Sequence, residues 1–543
     1  MSTLTRWILS HKLIVVLFWT VLTVAGIASA RSATNALSQQ FTAPGGQGIE
    51  TSAAIVHLFH SGGTTAPIVP VVTLPRGTTV TSPGVRTELA VAFNRIAGAV
   101  PGARIASYAS TGNRAFVSRD GRTTFGLVYA PAGYSAPAPA LWIHRVRTAL
   151  HGVSIDGARF RVTGLDALST GYGNTGGNGV MGMTMMAGIL ALVVLVFVFG
   201  SALAILPLLM ALVAIPTTFL AIWGLASATY VSFIVEFLIA LVGLGVAIDY
   251  SLLVVMRWRE ERANGLANTE AVVRAMETAG RSVIYSGATV AIGLFALIVL
   301  PLPFLRSMGY GGVLIPLITV AVVLTLLPVV LATVGPVFDW PRRSARGRPS
   351  RVWSVWAGQV VRHPWIAAAA GVVILSILLS AGKTISLGTA RADSLAKTGQ
   401  AHAGLVALER SGIGSGVLMP FEILASQPAA QTAATRVETL SGVHGAVAPA
   451  SWQRDHLAVI DAFPAADGSS AAASDALSRI HAAARDLPGS ARVGGAVAGN
   501  ADFVNAVYGS FPQMIALIVL LTFLFLARAF RSVVLAAKAV LLN

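Results

Sequence analysis

The chain has 543 residues, 55% of them hydrophobic and only 11% charged, with a net charge of +16. A soluble protein of this size exposes far more charge. The absence of cysteine excludes disulfides, thiolate metal sites and thiol catalysis.

Several runs of about 18 or more apolar residues indicate an α-helical polytopic membrane protein. The first, Leu13 to Ala30, follows Arg6 and Lys12. Ala28-Ser29-Ala30 has the small residues of a signal cleavage site, but the length of the run favours an uncleaved helix, so residues 1–31 are read as the first span. Residues 32–180 have mixed character. "PIVPVVTLP", "TTFGLVYAP" and "ARFRVTGL" read as strands, and "GVRTELAVAFNRIAGAV" and "PALWIHRVRTALHGV" as helices. That alternation suits an α+β domain of split βαβ, ferredoxin-like type. The Gly-rich "GYGNTGGNGVMG" leads back to the membrane.

Residues 181–335 hold five apolar segments, near 182–199, 203–225, 232–256, 282–300 and 308–334. Between the third and fourth, a short amphipathic helix near 267–280 is expected to lie on the cytoplasmic membrane surface. Val272, Ala275, Met276 and Ala279 share one of its faces. A basic linker follows at 336–363, then a span at 364–382. A second α+β region covers 383–510, with strands in "GVLMPFEILA", "HLAVIDAFPA" and "ARVGGAVAG". The last span begins the segment 511–543, at about 512–527.

The basic residues orient these spans. Arg6 and Lys12 place the N-terminus in the cytoplasm. Eight crossings then put Arg257, Arg259 and Arg262 on the same side, with Arg342, Arg343, Arg346, Arg348 and Arg351, and with Arg528, Arg531 and Lys538. Both α+β regions fall outside. The positive-inside rule thus accounts for the charge, and no nucleic-acid partner is expected.

The two halves share one plan of helix, external domain and helix. Parallel repeats of this kind are common in transporters. The first half has six predicted helices, and the second has two before Asn543. The sequence is therefore expected to be a truncated transporter, or a half completed by a second polypeptide.

One residue breaks the apolar pattern. In "GLGVAIDYSLLVVMRWREE", Gly243 to Glu261, Asp249 and Tyr250 stand inside the run. Asp249 precedes Arg257 by eight residues, about 12 Å at roughly 1.5 Å per residue. That depth is near the middle of a hydrocarbon core about 30 Å thick. A charged Asp there costs at least roughly 2.5–3.5 kcal/mol, so it is expected to face the bundle with a partner or to stay protonated. Reversible protonation in a proton relay is favoured over a carboxyl bonded only for packing. Tyr250 is turned about 100° away and is expected to reach a neighbouring helix. Gly245 shares the face of Asp249, one helical turn away, and leaves room for another helix, as does Gly243 nearby. On the next helix Tyr285, Ser286 and Thr289 are hydroxyl partners for Asp249, unless they bond their own helix backbone. Glu236, about 20 Å from Asp249 by helix rise, is a solvated interface residue or a mouth for protons or substrate.

Other chemistry is not found. "SAGKT" at 380–384 has Ile377 where a phosphate loop needs glycine. "GLGVAI" lacks the third glycine of a dinucleotide fingerprint. His57 and His60 have no further metal ligands in view, and no GxSxG or HExxH occurs. Neither an enzyme, a cofactor nor a metal is expected.

With these residues in view, the chain resembles the MMPL family, the mycobacterial-membrane-protein-large type of the resistance–nodulation–division superfamily. The stretches that carry the resemblance are "GLGVAIDYSLLVVMRWREE", "GRSVIYSGATVAIGLFAL" and "LRSMGYGGVL". It implies a bacterial cytoplasmic-membrane exporter of lipids, lipid-like molecules or drugs, driven by protons, with two external porter domains. It implies a relay of Asp249 and Tyr250, with Ser286 close by, whose second Asp-Tyr pair lies beyond Asn543. Membrane lipids, an amphipathic substrate and protons are the implied partners. The rival readings are an inactive remnant and a lipid-sensing or assembly subunit.

Overall fold

The computed structural model describes residues 1–38, 45–63, 65–132, 139–172, 180–300, 302–340, 351–382, 390–487 and 491–542. Much of the Gly-rich stretch, and Arg342, Arg343, Arg346 and Arg348 of the basic linker, lie outside them. The chain divides into two units. One comprises Met1–Phe41, Asn178–Ser386 and Ser510–Asn543, and the other Thr42–Gly177 and Leu387–Gly509.

The first unit is helical. Among the described residues, seven helices are long and apolar enough to cross a membrane: Lys12–Ala36, Ala202–Ala226, Ile234–Ala263, Asn268–Val299, Pro303–Thr333, Pro364–Gly382 and Ala496–Phe530. Helix Val180–Phe199 adds a further apolar stretch at Thr184–Phe197. Each carries an apolar stretch long enough to cross a membrane, and a helix satisfies every backbone group within itself. Most run past the predicted spans, because hydropathy marks only the apolar part while Arg, Glu and Ala carry the helix onward.

The amphipathic segment is not a separate surface helix. It forms the first turns of the continuous helix Asn268–Phe295. Its apolar face meets protein: Val272, Ala275 and Met276 are fully buried in the same cluster as Trp258 and Leu327. Asn268 anchors it by accepting from Trp258 Nε1 at 3.1 Å and donating to the carbonyls of Leu331 and Ala332. The outer helix Pro364–Gly382 buries none of its residues.

Helices Lys12–Ala36 and Ile205–Ala226 approach closely at a glycine. A Cβ on Gly26 would lie 2.2 Å from the Pro216 carbonyl oxygen. Only hydrogen fits there, and the small residue lets the two backbones meet.

The second unit holds two α+β regions of the same order. In the first, strands β1 (Val69–Thr73), β2 (Arg104–Ser107), β3 (Thr123–Tyr129) and β4 (Arg161–Thr163) form an antiparallel sheet ordered β2-β3-β1-β4. Helices Val85–Ala99 and Pro139–Ala149 follow the first and third strands. In the second, β5 (Phe421–Ser426), β6 (Val443–Val447), β7 (Leu457–Pro464) and β8 (Arg492–Gly494) are ordered β8-β5-β7-β6. Helices Ala430–Glu438 and Ala471–Arg485 hold the matching positions. β2 and β6 are missing from the sequence reading, and "GAVAG" of the last expected strand mostly enters the long helix that starts at Ala496.

Strand β3 is buried along its whole length and β7 nearly so. A sheet with helices on one face alternates in burial, so a second cover is required. The two sheets supply it for each other. Phe463 of β7 packs edge-on against Phe116 and Phe125, each at 5.6 Å between ring centroids.

Four polar residues interrupt this apolar contact. Arg104 and Tyr129 are cross-strand neighbours on the first sheet, and Glu422 and Asp461 on the second. Arg104 forms an ion pair with Glu422. Its guanidinium lies between the rings of Tyr129 and Trp452, at 4.2 and 4.3 Å from their centroids. The Tyr129 hydroxyl donates to Asp461 Oδ2 at 2.6 Å, and the Gly63 amide donates to Glu422 Oε2 at 2.5 Å.

Two predictions follow from these contacts. Gly26→Val should cost about 1–3 kcal/mol through overpacking, read as an earlier unfolding midpoint of the full chain in detergent. Arg104→Leu leaves two buried carboxyls without their cation and should cost about 3–5 kcal/mol. An unchanged midpoint in either variant would show that the contact carries no stability.

Candidate functional site

The site is built on helix Ile234–Ala263 and the one after it. Leu244, Ala247, Val254 and Val255 bury the packed face of the first helix. Its open face carries Phe237, Leu241, Gly245, Asp249 and Leu253 at four-residue steps, all exposed. Asp249 is the one polar member of that stripe. Tyr250, one residue on, turns into the packed face and is 3% exposed. A helix turns about 100° per residue, so adjacent positions straddle the edge between packed and open faces.

Among the described residues Asp249 stands on the open face, and the inward member of the pair is Tyr250. Its ring lies on helix Asn268–Phe295 beside Gly287, where a Cβ would be 3.6 Å from the Tyr250 hydroxyl. That hydroxyl is buried and has no hydrogen-bond partner of ordinary geometry among the described residues. Ser286 and Asp249 are the polar side chains that act on it. Ser286 is itself exposed, next to Gly287 on the same helix.

The remaining candidates separate. Thr289 donates to the Tyr285 carbonyl of its own helix at 2.8 Å. The Tyr285 ring meets Phe525 at 6.2 Å between centroids. Gly243 does permit a close approach: a Cβ there would be 3.2 Å from Ile215 and 3.7 Å from Ile315. Among the described residues nothing lies within 4 Å of the corresponding position at Gly245. Glu236 is half-buried in the first turn, with the Thr34 side chain acting on it.

The C-terminal end of the helix is tied by charge. Arg257 pairs with Glu260 and Glu261, both at 2.6 Å, and Arg259 with Asp339 at 3.1 Å. Beside it, a cavity of about 820 Å³ runs between the two helices, lined by Leu253, Met256 and Ser282 among others. Among the described residues no cluster of His, Asp and Glu has the makings of a metal site. In the other unit, Arg104, Glu422 and Asp461 were not singled out from sequence. The signal was a lone acid within each of two apolar strands, "FEILA" and "AVIDAF".

Comparison with known proteins places this arrangement. The MMPL family model matches residues 41–367. The mycolic acid-containing lipids exporter MmpL11 of Mycolicibacterium smegmatis is 32% identical over 380 residues, 65% of this chain and 39% of that protein. The heme uptake protein MmpL11 of Mycobacterium tuberculosis H37Rv is 31% identical over 373 residues, 65% of this chain and 38% of that protein. The trehalose monomycolate exporter MmpL3 of M. smegmatis is 33% identical over 186 residues, 34% of this chain and 18% of that protein. The chain therefore spans less than two fifths of the length of these relatives. With the family model covering more than half of its residues, this polytopic helical chain belongs to the MMPL family.

Proposed function

We propose that this chain works in a proton-driven exporter of lipids, lipid-like molecules or drugs in a bacterial cytoplasmic membrane, with its N-terminus in the cytoplasm. The observation that carries the reading is Asp249, the one polar residue on an apolar stripe, beside a buried Tyr250 hydroxyl on which Ser286 and Asp249 act. An ionised carboxylate at that depth costs roughly 2.5–3.5 kcal/mol or more. A protonated one costs much less, so each proton bound or released changes which helix packing is favoured. Tyr250 takes part by offering a hydroxyl on the packed side, and Ser286 one on the exposed face of the next helix. Glu236, near the outer end, would stand where protons or substrate enter.

In this reading the two α+β regions are ferredoxin-like porter domains outside the membrane, and a substrate passes between or beside them. The substrate class is argued from the cargoes in the relatives' names, two of which are lipids. A second polypeptide or further helices would cover the open stripe around Asp249, where a neighbouring helix can meet Gly245 without a clash. The function is transport rather than catalysis.

The test is export of a fluorescent lipid from inverted vesicles under a pH gradient. Asp249→Asn should reduce gradient-dependent export to background while helix content and membrane insertion stay unchanged. Wild-type export by this variant would sink the relay. Tyr250→Phe separates function from packing. Removing a buried hydroxyl that has no hydrogen-bond partner of ordinary geometry among the described residues should leave stability within about 1 kcal/mol of wild type, yet slow export. A variant that exports normally removes Tyr250 from the relay. In native membranes the chain is expected in an assembly heavier than its own 56.1 kDa. A bare chain without export would favour the remnant.

A further inference from the structure

The four polar residues between the two sheets lie far in sequence from Asp249 and belong to the other unit, so they stand apart from the relay. Their charges do not balance. Arg104 supplies one positive charge, and Glu422 and Asp461 supply two negative ones if both are ionised. The exposures are 7%, 1% and 0%. Glu422 and Asp461 are also directly opposite each other on neighbouring strands, where like charges repel. An uncompensated buried charge is resolved by taking up or losing a proton.

The surroundings decide which acid takes the proton. Burial raises the Glu422 carboxyl as well, but the Arg104 guanidinium and the Gly63 amide both favour its ionised form and oppose that rise. Asp461 has only the neutral Tyr129 phenol, and its Oδ1 has no partner among the described residues.

We propose that Asp461 is a proton-binding site that locks the two sheets face to face: it holds one proton while they are closed and releases it when they part and admit water. The step moves one proton between the Asp461 carboxyl and solvent, with no other bond made or broken. It stands on the soluble unit alone and does not depend on the transport reading.

The groups facing Asp461 are Arg104 of β2, Tyr129 of β3 and Glu422 of β5. Burial, opposed by Arg104, and reinforced by Glu422, pushes its carboxyl from an ordinary 3.8 up to about 8, with the Tyr129 hydrogen bond pulling the other way. The closed state thus binds one more proton than the parted state between about pH 4 and about pH 8. Closure is favoured in acid, weakens as pH rises through that window and changes no further above it.

The chain has no cysteine, so two spin labels can be introduced cleanly. Asn94→Cys and Ser478→Cys, both exposed on helices behind the two sheets, report the distance by electron double resonance in the full chain in nanodiscs. The ratio of parted to closed populations should rise about tenfold per pH unit, levelling off above about pH 8. Asp461→Asn, a neutral isostere, should remove the part of the dependence that extends up to about pH 8. Tyr129→Phe, which removes a bond to the ionised form, should move the levelling point to higher pH. The proposal is overturned by a wild-type distribution that ignores pH, by an Asp461→Asn profile like wild type, or by a Tyr129→Phe levelling point that stays in place.

Discussion

A charge buried away from water must be neutralised, and much of this chain is arranged around that requirement. Its spans carry long apolar stretches, and ionisable groups gather outside those stretches, where Arg257 and Arg259 find Glu260, Glu261 and Asp339. Asp249 is the exception within a span. Its sheets are apolar on both faces, because each serves as the other's cover. Arg104, Glu422 and Asp461 are the exception there. In both places an acid sits beside a tyrosine, and in both the apolar surroundings make its charge expensive.

The sequence made the membrane helices plain, because a run of apolar residues some 18 or more long has few other fates. It also exposed Asp249, since a single carboxylate is conspicuous among Val, Leu and Ile. The direction in which Asp249 points was not legible. That depends on which neighbouring helices are present, and a stripe alone does not say whether it is covered. The amphipathic segment was misread for a related reason. Val272, Ala275 and Met276 mark an apolar face equally well whether lipid or protein covers it, and here the cover is protein. The short strands β2 and β6 escaped because four or five residues carry little periodicity.

The quartet was hidden by distance along the chain. Arg104 and Glu422 are separated by 318 residues, and nothing local in either strand announces the other. Each acid was nevertheless visible by the logic that found Asp249. Glu422 stands in "FEILA" and Asp461 in "AVIDAF", and both strands are buried. A lone acid in an apolar strand asks the same question as one in an apolar helix: what neutralises it. The partners become evident only when the fold aligns Glu422 with Asp461 on one sheet and Arg104 with Tyr129 on the other.

The internal repeat explains why such a contact can exist. Two copies of one strand order present two similar open faces, and burying each against the other removes both from water. Identical faces would meet as like against like. Divergence of a few positions is enough to make them complementary: the cation lies on β2 of the first copy, and the acids lie on β5 and β7 of the second. The same division of labour operates on a smaller scale in the membrane helix. Asp249 and Tyr250 are neighbours in sequence, but the helical turn sends one to the open face and the other to the packed face. A change of charge on the open side is then one peptide unit from the side chain that rests on Gly287.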